Sequence, residues 1–134
     1  MTHKRTTIRN NIADVLKAIP SIKSFQIGRT VDIEQDELPH CTIEALDDNV
    51  ESMHLNGATN HTMEISLVVT VRDLTNIYDT LDAIAEDIET ALLDDDDLDS
   101  NINMIDIQRT TFTLSDEQPL GEMRLVYYVS YLNP

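Results

Sequence analysis

The stretch that most limits the folds open to this chain is one of alternation. Met63, Ile65, Leu67, Val69 and Val71 are apolar, and Glu64, Ser66, Thr70 and Arg72 stand between them. A period of two puts successive side chains on opposite faces, so the stretch predicts a strand with one face buried and the other mostly wet. Such a strand needs partners beside it and a cover over its apolar face. The cover follows at once, since Ile77, Leu81, Ile84, Ala85, Ile88, Ala91 and Leu92 recur at the three-and-four spacing of an amphipathic helix. Thr75 stands where an N-cap is needed.

The remaining elements fit around this pair. Ile8, Ile12, Val15, Leu16 and Ile19 predict an opening helix, with Arg9, Asn10, Asn11, Asp14 and Lys17 on its other face and Pro20 as its stop. Two short strands are expected at Phe25 to Ile27 and at Cys41, Ile43 and Ala45, with Thr42 and Glu44 opposed. From Asp47 to Asn60 no periodicity is sustained and Asn56-Gly57 is a turn pair, so a mobile loop is expected across 47–60. From Ile102 to Leu114 the apolar positions change from odd (Ile105, Ile107) to even (Phe112, Leu114), which predicts a bulge between Gln108 and Thr111. Pro119 and Gly121 turn the chain into a closing strand of Met123, Leu125, Tyr127, Val129 and Tyr131, opposed by Arg124, Tyr128 and Ser130. Tyr127 and Tyr131 are expected in the core; Tyr128 is the tyrosine left for an interface. The order α-β-β-β-α-β-β gives an α+β class, one mainly antiparallel sheet with two helices packed on it, as a single domain over 1–134.

Charge narrows the partners. The formal net charge is −16, and Asp73 to Asp99 holds eleven acids and no base, while Lys4, Arg5, Arg9, Lys17, Lys23 and Arg29 precede residue 30. Long-range repulsion of phosphates disfavours nucleic-acid binding, which leaves proteins as the expected partners. No apolar stretch follows Lys4 and Arg5, so neither a secretory signal nor a spanning helix is read; synthesis in a cytoplasm and no membrane partner are expected. Cys41 is the one cysteine, which excludes an internal disulfide.

Chemistry is sparse. Asp95, Asp97, Asp99, Asn101 and Asp106 fall at positions 1, 3, 5, 7 and 12 of a calcium loop, with Ile102 at position 8. Ser100 replaces the glycine of position 6, and the segment that follows reads as strand where a helix is required. A solvated acidic turn is expected, with Asp95, Asp97 and Asp99 as weak cation candidates. His40, His54 and His61 with Cys41 form the one set resembling transition-metal ligands, but neighbours on a strand face opposite ways, so no metal site is assigned. Cys41 with a histidine is the one Cys–His pair, and no glycine-rich turn supplies an oxyanion hole beside it. With only Gly28, Gly57 and Gly121, no phosphate-cradling loop is read. No catalytic residue and no cofactor is expected.

The order of elements resembles the tail terminator, or tail completion, proteins of long-tailed phages, the minor tail protein U-like group. What carries the resemblance is the opening helix around Arg9 to Leu16, the strand Met63 to Val71, the helix Leu81 to Leu92, a strand ending at Phe112 to Leu114, and the closing strand Met123 to Tyr131. The resemblance implies a homo-oligomeric ring, a hexamer, in the neck of the virion tail. Its partners would be the tail tube protein and the head-tail connector protein, with DNA passing through unbound. The residues agree with this in charge: Arg5, Arg9 and Lys17 of one subunit would meet Asp94, Asp95, Asp96 and Asp97 of the next. Asp48, Glu51, His54 and Asn56 are the expected contacts of the loop with the tube or a neighbouring subunit. Rival readings from the same composition are an acidic DNA mimic, a weak calcium-binding module, or another neck or head-tail connector protein.

Overall fold

The computed structural model describes residues 4–28, 38–52, 59–72, 75–94, 102–114 and 120–133. The elements are α1 (Lys4–Lys17), β1 (Ser24–Ile27), β2 (His40–Ser52), β3 (Thr59–Arg72), α2 (Ile77–Asp94), β4 (Met104–Leu114) and β5 (Leu120–Asn133). The alternating stretch becomes the centre of the sheet. β3 pairs antiparallel with β5 from Thr59↔Asn133 to Arg72↔Leu120 without a slip. β2 flanks β3 and β4 flanks β5, giving the five-stranded order β1-β2-β3-β5-β4.

Odd-numbered residues of β3 and β5 form the floor of the core. Ile65, Leu67 and Val69 lie beside Met123, Leu125 and Val129, and onto them pack Ile8, Ile12 and Leu16 of α1 with Leu81, Ile84, Ile88 and Leu92 of α2. Both helices therefore cover one face, as the apolar stripes predict. Gly121 lets α2 start close to the sheet, since a Cβ there would stand 2.6 Å from Ile77 Cδ1. The other face is polar and carries ion pairs between strands: Arg124 donates to Glu44 at 2.9 Å and to Ser66 at 2.8 Å, and Arg109 reaches Glu64 at 3.4 Å. Val68 and Val126 share that face and are nonetheless buried.

Four details differ from the expectations or sharpen them. β1 pairs parallel with β2, from Ser24↔His40 to Ile27↔Ile43; about a dozen residues separate them, enough for a crossover connection. Helix α2 is capped one residue later than Thr75, because the Asn76 carbonyl accepts the first helical bond, from the Thr80 amide at 3.0 Å. β4 bulges between Ile107 and Arg109, which leaves Gln108 as the extra residue and accounts for the odd-to-even change. Part of the span 47–60, expected to be loop, is strand instead. Asp48 to Ser52 pair with Thr59 to Met63, after a bulge between Ala45 and Asp48. Backbone pairing needs no apolar alternation, so polar side chains hide this extension from the sequence; residues 53–58, with His54 and Asn56, lie outside the described residues.

Candidate functional site

The bulge in β2 places the Asp48 side chain on the helix-covered face, beneath the start of α1. There it is 11% exposed and accepts three hydrogen bonds. The Tyr131 hydroxyl of β5 donates to Oδ2 at 2.7 Å, an Arg5 guanidinium N–H of α1 donates to the same oxygen at 2.7 Å, and His61 of β3 donates from Nδ1 at 3.0 Å to Oδ1. The second imidazole nitrogen of His61, Nε2, is 2.8 Å from Thr59 Oγ1, and the ring stacks on Tyr131 with centroids 4.6 Å apart. Burial pushes the Asp48 carboxyl up, but the hydrogen bonds from Tyr131, Arg5 and His61 outweigh it and hold the group below its ordinary value. Burial and the neighbouring carboxylate push the Tyr131 phenol up. The cluster fastens the first turn of α1 to three strands, and Lys4 adds a bond to the Leu132 carbonyl at 3.2 Å.

The outer strands are differently made. β4 closes one side of the sheet with no strand beyond it among the described residues. Met104, Ile107, Phe112 and Leu114 on it are exposed, as are Leu93 and Tyr78 of α2 beside it. Between α2 and β4 runs a groove of about 280 Å³ walled by Leu93, Ile105 and Ile107, with Glu89 and Asp106 at its rim. Tyr127 lines it as well. Its hydroxyl is buried without a hydrogen-bond partner among the described residues, and burial raises its pKa. On the opposite side of the sheet, β1 covers β2 only as far as Ile43, and Leu46 and Val50 beyond it are exposed.

A family model described as "Phage minor tail protein U" matches residues 3–131. The chain belongs to the phage minor tail protein U family. It is accordingly a structural protein of the phage tail, located in the virion tail. No curated protein matches the chain. A solved structure described as "Virion of native gene transfer agent (GTA) particle" is similar over 98% of this chain and 92% of that one, at 9% identity and a TM-score of 0.46.

For a minor tail protein U, the residues singled out in the sequence take unequal places. Arg5 is held within its own subunit by Asp48, and Asp48 itself is a cluster residue rather than a loop contact. Arg9 bonds Thr6 at 3.3 Å, and the Lys17 ammonium sits 5.9 Å over the Phe25 ring. Glu51 is exposed on β2, and Asp94 is exposed at the end of α2; Asp95 to Asp97 and Asp99 lie outside the described residues. Among the described residues no three or more His, Cys, Asp or Glu side chains gather as metal ligands. Cys41 is buried, its thiol pushed up to about 12 by that burial, while His40 Nδ1 bonds Ser24 Oγ at 2.6 Å. Tyr128 is exposed, as expected, and Tyr127 and Tyr131 are core. Sequence reasoning missed the linkage of His61, Asp48 and Tyr131, three polar groups converging from separate strands.

Proposed function

We propose that this tail protein forms a closed ring, a hexamer, on the head-proximal end of the tail tube, ending tube growth and presenting a surface to the head-tail connector. The observation that carries the reading is family membership across nearly the whole chain, residues 3–131. The surface supports it. Apolar side chains remain uncovered on both sides of the sheet, which is expected of a subunit that is completed by neighbours. Net charge of −16 keeps DNA phosphates off the walls of such a ring, so DNA passes without being gripped.

Native mass measurement and tube-growth assays test this. The expected result is a closed oligomer of the 15.2 kDa chain, alone or with tail tube protein, whose addition stops growing tubes. A chain that stays monomeric under both conditions, with tubes that elongate unchanged in its presence, overturns the proposal.

A further inference from the structure

We propose that copies of this chain join edge to edge, the outer side of β4 on one subunit pairing antiparallel with the Glu44 to Glu51 stretch of β2 on the next. The inference rests on the ring reading above and names the contact that would build the ring. An unpaired strand edge offers a row of backbone donors and acceptors, and proteins usually blunt such an edge with charge or cover it. Here the charges on β4 are Asp106 and Arg109 alone, and no strand covers its outer side among the described residues. β4 runs from Met104 to Leu114 at the end of the sheet, and its exposed side chains include Met104, Ile107, Phe112 and Leu114. The second edge left open among the described residues is the part of β2 beyond Ile43, where Leu46 and Val50 are exposed.

The occupant follows from where these edges lie. They end the same sheet on opposite sides, so a contact between them is head-to-tail, and head-to-tail contacts close into rings when the rotation closes. Strand direction agrees. β2 is antiparallel to β3, β3 to β5 and β5 to β4, so β4 runs opposite to β2. Rotation about an axis along the strands keeps every direction, and β4 then meets the neighbouring β2 in the antiparallel sense.

Two single variants, Ile107→Cys and Leu46→Cys, test the contact. Both positions are exposed, at 42% and 45%, so the subunit keeps its fold. Cys41 is fully buried and does not react with maleimides. The variants are mixed under the condition in which the native chain forms rings and treated with a short bifunctional maleimide. The expected product is a cross-link between 107 of one chain and 46 of another, absent when either variant is treated alone. Ile107→Lys is expected to keep the melting temperature of the native monomer and to lose ring formation at concentrations where the native chain is assembled. Native rings without the cross-link, or Ile107→Lys rings at normal yield, overturn edge pairing and leave the ring reading standing. A cross-link within either variant alone overturns the head-to-tail arrangement. A native chain that forms no ring in any condition overturns the ring reading, and edge pairing falls with it.

Discussion

Asp48→Ala is expected to lower the stability of the subunit by about 2–4 kcal/mol, because it strips a buried acceptor from Tyr131 and His61 together. The Tyr131 hydroxyl and His61 Nδ1 stand 3.1 Å apart and can re-pair with each other, which keeps the loss below the sum of two orphaned groups. Arg5 is 40% exposed and finds water when its partner is gone, so it adds little. The same cluster sets an acid limb. A carboxyl held below its ordinary value contributes stability that is present above about pH 4 and is lost as the pH falls through its lowered value. Denaturant titrations at neutral pH and on the acid side check both points. Asp48→Asn should lose less stability than the native chain as the pH falls through that window, and equal acid sensitivity of the two would show that Asp48 is not the group responsible.

Ile88→Ala is expected to cost about 2–5 kcal/mol, because Ile88 is fully buried where α2 lies on the sheet. The spread reflects how far Leu81, Ile84 and Leu92 can close over the space. Ile88→Val keeps most of the volume and should cost about 0.5–1.5 kcal/mol. Urea unfolding of the two variants beside the native chain measures both losses. Losses near zero from both substitutions would mean that Ile88 is not packed between α2 and the sheet.

What the sequence discloses depends on whether an apolar residue marks the feature. The stripe of α2 is legible because Leu81, Ile84, Ile88 and Leu92 are the residues that are buried. The bulge of β4 is legible too, since Ile107 and Phe112 stand on either side of it and differ in parity. The bulge of β2 is not. Beyond Ala45 the first side chain to return to the core face is the carboxylate of Asp48, whose burial is explained only by Arg5, His61 and Tyr131 on three other elements. No local pattern foretells partners 43 and 83 positions away. The parallel pairing of β1 is hidden for a related reason, because four residues have too little alternation to reveal which way they run beside β2. Asn76 takes the cap from Thr75 because the two residue types cap almost equally well, and the helix start decides between them.

The two bulges also determine where the chain can lose a residue. β4 carries Gln108, and β2 carries one of Leu46 or Asp47, beyond what their partners need. A one-residue deletion in either place is absorbed by straightening the strand, with Phe112 and Leu114, or Asp48, keeping the face they had. β3 and β5 hold no such slack, for they run from Thr59↔Asn133 to Arg72↔Leu120 in unbroken register. Removing one residue there turns every side chain beyond the gap to the opposite face. Length can therefore drift at β2 and β4, the strands that flank the central pair, while that pair tolerates changes of side chain but not of spacing.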